Sequence, residues 1–245
     1  MEPFLSIVIP AYDEAERLPP TLTAVAGYLE ASSKPAEIVV VDDGSSDRTV
    51  AAARNAASQL GRPNLEFQVL ENGRNRGKGS SVRRGMLAAR GRWALFTDAD
   101  LSTPIEEADK LLDAAERGSH DVVIGSRALD RSLIGTHQPL FREISGRVFN
   151  LVARVTAGLP FHDTQCGFKL FSQRAARGVF SLQRLDRFGF DVEALFLARK
   201  LGFSIAETPV HWNDAAGSKV TALKGADAFL DILRVRWNDL RGRYR

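Results

Sequence analysis

Short apolar runs alternate with helical stretches through the first half of this chain, and that alternation constrains its fold more than any other feature. Phe4 to Pro10, Glu37 to Asp42, Leu65 to Leu70, Arg92 to Thr97 and Asp121 to Gly125 read as strands. Between them, Arg17 to Ala31, Asp47 to Leu60, Lys78 to Arg90 and Thr103 to Arg117 read as helices. Pro19 and Pro20 fall in a first helical turn, where a missing N–H costs little. Ser45 or Ser46 is expected to cap the second helix, and Thr103-Pro104-Ile105-Glu106 has the capping-box pattern. Strands that are apolar almost throughout, joined through helices, imply βαβ units and a mostly parallel sheet flanked by helices, an α/β fold.

Ligands of such sheets sit outside the carboxyl ends of the strands. Attention therefore falls on Ala11-Tyr12-Asp13-Glu14, Asp42-Asp43-Gly44-Ser45 and Asp98-Ala99-Asp100, which follow the first, second and fourth strands. The first lacks the G-x-G-x-x-G of a dinucleotide fold, and the arginine- and glycine-rich loop of a sugar nucleotidyltransferase. The stretch Asn72 to Gly79 fails as a P-loop, with Asn72 where glycine is required and Gly79 where Ser or Thr is required. Its glycines still permit close backbone approach to a ligand. Asp42 and Asp43 either receive a base or ribose or form an Asx-turn. Asp98 and Asp100, at i and i+2 on an extended segment, are expected to point the same way. Two convergent carboxylates repel unless a cation lies between them. Mg2+ or Mn2+ shared with a substrate phosphate suits such oxygens. A D-x-D also opens one class of phosphatases, with Asp98 as the nucleophile. In those it ends the first strand, with an acidic pair downstream, whereas here it ends the fourth and the pair lies upstream.

The second half is less regular. Leu140 to Ala157 is amphipathic, with Phe141, Ile144, Val148, Phe149, Val152 and Val155 apolar and Arg142, Arg147 and Arg154 among them. Gly167 to Phe171 and Phe203 to Ala206 read as short strands, Asp191 to Leu201 and Lys224 to Leu240 as helices. No linker or repeat divides the chain, so residues 1–245 are expected to form one domain with an elaborated C-terminal half. The single cysteine, Cys166, excludes an internal disulfide and suits a reducing compartment. The N-terminus lacks the pattern of a secretory signal, and no run of apolar residues is long enough to span a bilayer. Residues 1–139 carry 16 Lys/Arg against 20 Asp/Glu, whereas residues 140–245 carry 17 against 10. An excess of cations confined to one half suggests an anionic partner. No nucleic-acid motif or aromatic stacking pattern accompanies it, so a nucleic-acid-binding module is not expected.

Taken together, Ile7-Val8-Ile9-Pro10-Ala11-Tyr12-Asp13-Glu14, Val40-Val41-Asp42-Asp43-Gly44-Ser45, Asn75-Arg76-Gly77-Lys78-Gly79 and Asp98-Ala99-Asp100 resemble the family-2 glycosyltransferases of the GT-A fold. Thr97 to Pro104, Asp163 to Phe171, and Trp212 with Gly217-Ser218-Lys219-Val220 are similar to the dolichyl-phosphate glucosyltransferase branch. The resemblance implies a nucleotide-binding half over residues 4–127 and an acceptor-binding half over 128–245. It places Pro10, Ala11, Tyr12 and Glu14 along the nucleotide, and Asp42 at the uracil or ribose with Asp43 and Lys78 nearby. Asp98, Ala99 and Asp100 would serve nucleotide and metal, with Asp100 the more direct ligand. Ser218 and Lys219 would close over the diphosphate. Arg127 and Arg142 would hold an acceptor phosphate, with Asp163 and Gln165 on the sugar and acceptor side.

The implied reaction moves a sugar, glucose first among the candidates, from a UDP-sugar to a polyprenyl monophosphate with inversion. Mannose, GlcNAc or glucuronate remain open as donors. A sugar hydroxyl acceptor would instead need a base, for which Asp163 and Asp191 are candidates; Asp191 otherwise reads as a helix-start charge. A lipid acceptor implies a cytoplasmic protein held peripherally at the inner face of a membrane. The helix from Leu140 and the arginine-rich C-terminus are candidates for that contact. Phe229, Leu230, Ile232 and Leu233 are expected to pack on the domain instead.

Overall fold

The computed structural model describes residues 2–136, 140–214 and 222–245. Its elements run β1 (Leu5–Ala11), α1 (Leu18–Ala31), β2 (Ala36–Asp42), α2 (Thr49–Leu60), β3 (Leu65–Glu71), α3 (Lys78–Ala88), β4 (Trp93–Thr97), α4 (Ala108–Gly118) and β5 (Val122–Ser126). They continue with α5 (Leu140–Ala157), β6 (Phe168–Ser172), α6 (Gln173–Leu182), α7 (Phe190–Lys200), β7 (Ile205–Pro209) and α8 (Ala222–Leu240). The seven strands form one sheet in the order β3-β2-β1-β4-β6-β5-β7.

Side-chain alternation along the strands builds two cores. Ile7, Ile9, Ile38, Val40 and Leu95 face α1, α2 and α4. Val8, Val39, Val41 and Phe96 face α3, α6 and α7, with α5 and α8 outside them. Both faces are covered, which is why these strands are apolar at nearly every position.

The sheet is mostly parallel, as expected; only β6 runs antiparallel, to both β4 and β5. Other expectations need correction. Helix α6 gave no clear signal in the sequence. Helix α2 begins at Thr49 without a serine cap; Asp47 accepts from the Thr49 amide at 2.9 Å instead. The capping box at Thr103 does not form, since that segment enters a 3-10 turn at Ile105–Glu107 with no side-chain cap.

The reversed β6 has a consequence for position. Phe168 pairs with Thr97, so the loop before β6 arrives at the carboxyl end of β4. Strand β7 lies parallel to β5, with Pro209 opposite Ser126, and delivers Trp212 to the same end.

Candidate active site

Asp98 and Asp100 do not lie on an extended segment. The chain turns there, the Leu101 amide donating to the Asp98 carbonyl, and Leu101 takes a positive φ of 46°. The two carboxylates therefore have separate surroundings. Asp98 is held by the Lys78 ammonium at 2.6 Å. Asp100 accepts from the Ser102 amide through Oδ1 at 3.0 Å, and its other oxygen accepts nothing among the described residues. Gly167 lies so close that a Cβ there would collide with the Asp98 carboxylate. The second-half motif Asp163 to Lys169 thus closes directly on the D-x-D turn.

Beneath the turn, Lys169 is completely buried and donates to Asp191 and to the Cys166 carbonyl, each at 2.5 Å. Burial raises the Asp191 pKa, with Lys169 and Lys78 opposing it. Burial alone would lower the Lys78 pKa, but Asp98 and Asp191 outweigh it and hold it above the ordinary lysine value. Asp98, Lys78, Asp191 and Lys169 therefore alternate in sign from the part-exposed turn down to a depth where Asp191 or Lys169 would not be tolerated alone. Lys169 passed unnoticed in the sequence as a chemical group, because a lysine inside an apolar strand looks like an edge residue.

Asp42 and Asp43 divide their tasks. Asp43 spends both oxygens on the loop after β3, accepting from the Asn72 side chain and the Arg76 amide through Oδ1, and from the Gly77 amide through Oδ2. It fixes the loop that presents Lys78, with both oxygens engaged. Asp42 accepts from the Gly44 and Ser45 amides through Oδ2, in the Asx-turn its sequence suggested. Its Oδ1 is buried with no partner. A buried carboxylate oxygen without a donor is costly and marks a place where one is supplied. Ala11 is buried beside it at the end of β1, while Tyr12 is partly exposed. Glu14 holds Arg17 in a two-bond ion pair.

On the other side of the turn, the Asp163 carboxylate grips Arg127 through Nε at 2.6 Å and Nη2 at 2.9 Å. Burial would raise the Asp163 pKa, yet Arg127 outweighs it and brings it down to about 2. Trp212 covers the guanidinium, 5.4 Å from the ring centre. Glu207 accepts from the His162 and Asp163 amides and so fixes the Asp163 turn. The Nε–Nη2 edge of Arg127 is committed to Asp163, and Nη1 has no partner among the described residues. The Gln165 amide also donates to Asp163, at 3.1 Å. Ser218 and Lys219 lie outside the described residues, and so does the side chain of Arg142 in α5.

A scan of family models matches residues 6–180 to "Glycosyl transferase family 2". The chain belongs to that family. Its matched span contains the β1, β2 and β4 ends, the Lys78 loop and the Arg127–Asp163 pair. Dolichyl-phosphate beta-glucosyltransferase of Drosophila melanogaster is 40% identical over 94% of this chain and 74% of its own length. The protein of that name from Homo sapiens is 35% identical, over 98% and 77%. The enzyme is thus a glycosyltransferase similar to the dolichyl-phosphate β-glucosyltransferases, and the phosphatase reading of the D-x-D falls. A solved structure of glucosyl-3-phosphoglycerate synthase from Mycobacterium tuberculosis, in complex with Mn2+, uridine diphosphate and glucosyl-3-phosphoglycerate, superposes with a TM-score of 0.70. It is 17% identical, and the match covers 95% of this chain and 80% of that one. The GT-A fold is therefore shared.

Proposed function

We propose that this enzyme transfers glucose from UDP-glucose to a polyprenyl monophosphate, inverting the anomeric centre. The observation that carries the reading is convergence at one end of the sheet. A turn bearing Asp100, an anchored lysine loop and an arginine with one free edge all meet where Gly167 touches Asp98.

Asp42 Oδ1 takes a donor from the uracil or ribose, which removes its unpaired state. Pro10, Ala11, Tyr12, Glu14 and Ala99 line the same strand ends. A divalent Mg2+ or Mn2+, when bound, supplies positive charge against the leaving diphosphate. Asp100, with an uncommitted carboxylate oxygen, is the residue that would hold it. No group of three or more acidic, histidine or cysteine side chains suited to a metal occurs among the described residues. That fits an ion held by one or two carboxylates and substrate phosphate oxygens. Asp98, already bound to Lys78, is the poorer ligand and the better nucleotide contact. Ser218 and Lys219 belong to the diphosphate side.

Arg127 presents its Nη1 edge to the acceptor phosphate, with Gln165 beside it and Arg142 as a second cation. A phosphate monoester has a second pKa of about 6 and is largely a dianion at neutral pH. One of its oxygens attacks the anomeric carbon, the bond from that carbon to the UDP oxygen breaks, and UDP leaves with the electron pair. No proton has to be removed first. The two base candidates support this choice of acceptor. Asp163 has both oxygens bound and a pKa near 2, and Asp191 is buried against Lys169. Asp163 is thereby a poor proton acceptor for a sugar hydroxyl.

The acceptor is a lipid, and two helices offer a surface for it. Phe149 of α5 and Phe229 of α8 stack edge to face at 5.1 Å. Ile232 and Val235 turn inward, yet Leu230, Leu233, Trp237 and Leu240 are exposed, as are Val148, Leu151 and Val155 on α5. The expectation that Leu230 and Leu233 pack on the domain is wrong; α8 has two apolar faces. Arg241 lies over Trp237 on the outer one, 4.3 Å from its ring centre, which suits an anionic bilayer surface. No helix among the described residues is long and apolar enough to cross a membrane.

The test is a panel of radiolabelled nucleotide sugars offered with a short polyprenyl monophosphate and Mg2+ or Mn2+. UDP-glucose should give the labelled, β-linked lipid. Transfer from a different nucleotide sugar in preference, or to a free sugar but not to the lipid phosphate, would overturn the corresponding half of the reading.

A further inference from the structure

Behind the Lys78 loop lies a buried polar network that takes no part in the chemistry above. Its centre is Glu193 on α7, completely buried. Glu193 Oε1 accepts from the Tyr244 hydroxyl at 2.5 Å. Its Oε2 accepts from the backbone amides of Arg184 and Leu185 at 3.1 and 2.8 Å. A carboxylate at this depth is tolerable only when its oxygens are met in this way, and removing one donor leaves an unpaired acceptor.

The amides that Glu193 holds belong to the segment 183–186, which is the seat of the donor loop. The Asp186 carbonyl accepts from the Ser80 amide at 3.0 Å. Gln183 Nε2 donates to the carbonyls of Gly79 and Leu185, both at 2.9 Å. At Gly77 a Cβ would collide with the Asp186 carbonyl, and at Gly79 with the Leu185 carbonyl and the Phe190 side chain. Gly77 also has a φ of 110°, closed to ordinary side chains. The two glycines flanking Lys78 are thus required by contact with 183–186. Asp43 holds the loop from the opposite side.

Tyr244 ties this seat to the end of the chain. Asn238 on α8 donates to the Tyr244 hydroxyl, Arg243 donates to Asn238, and Arg184 Nε donates to the Arg243 carbonyl. Gly189, just before α7, lies so close to α8 that a Cβ there would collide with the Asp231 side chain.

We infer that Glu193 and Tyr244 are positioning residues for the donor: they hold segment 183–186, which holds Gly77-Lys78-Gly79 against Asp98. The inference rests on the reading of the Lys78 loop as the donor site. Neither residue touches substrate; both act through the backbone of 183–186.

The experiment compares Tyr244→Phe and Glu193→Gln with the unaltered full chain and with Lys78→Ala. Measured are UDP affinity by calorimetry, KM for UDP-glucose and for a short polyprenyl phosphate, and amide hydrogen exchange without nucleotide. Both positioning variants should raise the UDP Kd and the UDP-glucose KM about tenfold, as expected when a charge-assisted hydrogen bond is lost. The acceptor KM should stay within about twofold, the split that separates a positioning role from general loss of fold. Exchange should quicken at residues 77–81 and 184–186. Tyr244→Phe keeps the ring and removes only the hydroxyl, so it reads the bridge even if Glu193→Gln folds poorly. Equal changes in both KM values, or unaltered exchange at 77–81, would overturn the inference. Unchanged UDP affinity in Lys78→Ala would overturn the donor-loop reading itself, while the exchange measurement would still judge the bridge.

Discussion

The two sides of this site are built by different means. The proposed donor side stands on strand ends and on the Lys78 loop, whose backbone Asp43 holds directly and Glu193 only through segment 183–186. The proposed acceptor side stands on side chains, with Arg127 fixed by Asp163 and covered by Trp212, while exposed apolar side chains lie on α5 and α8. A nucleotide diphosphate is a rigid, polar ligand that rewards preorganised amides and cations. A polyprenyl chain needs a place to enter from a lipid surface, and only its phosphate has to be positioned. Under the proposed reaction, the contrast assigns the polar requirement to backbone-held loops and the lipid requirement to exposed helix faces.

The comparison breaks most sharply at the turn between the halves. Asp100→Ala should lower kcat about a thousandfold, as when one transition-state electrostatic contact is removed, with the melting temperature nearly unchanged. Normal turnover in metal-replete buffer would sink the assignment of Asp100. Lys169→Met tests the floor beneath both halves. It leaves Asp191 buried without its partner and should cost about 3–5 kcal/mol in denaturant unfolding. A loss under about 1 kcal/mol, the range of surface pairs, would mean that the charge ladder contributes little.

Arg127→Ala and Lys78→Ala sharpen the division itself. The first should raise the acceptor KM about a hundredfold with UDP affinity little changed, by loss of a charge-assisted contact to phosphate, and the second should do the reverse. Parallel losses in both would erase the distinction between donor and acceptor sides.

Asp163 adds a pH dependence to the acceptor side. Its pKa is about 2 in the fold against an ordinary 3.8. A lowered carboxylate pKa gives stability that is complete above the unfolded value and is lost as pH falls through the folded one. The pair should therefore contribute about 2 kcal/mol above pH 4 that vanishes toward pH 2. Acid unfolding of Asp163→Asn should lack that component; an identical acid limb would refute the pairing. The smallest effect belongs to α8. Leu233→Ser with Leu240→Ser should weaken binding to anionic vesicles about tenfold, on the order of the apolar area removed. Soluble-acceptor activity should be intact, and unaltered vesicle binding would move the membrane contact elsewhere.

Much of this was legible before any coordinates. Alternating apolar strands and helices defined the α/β class, and the acidic residues at the β2 and β4 ends marked the candidate site, because both signals are local. The failures share a cause. Asp42 and Asp43 are neighbours of one residue type, yet one keeps a vacant oxygen and the other none. That depends on where the loop of Arg76 and Gly77 comes to rest. Leu230 and Leu233 read as core residues because α8 is apolar on two sides and its sequence does not say which side meets the domain.

By itself the sequence determined the order of most elements, which side chains stand at the strand ends, and the family. Only the tertiary structure decided which distant groups meet. The reversal of β6 sets Gly167 against Asp98 and Asp163 against Arg127, and the closing of Tyr244 on Glu193 seats the Lys78 loop. The physical reason is one of range. Periodicity and capping act over a few residues, whereas those contacts join positions tens of residues apart and form only when the sheet and both its cores are complete.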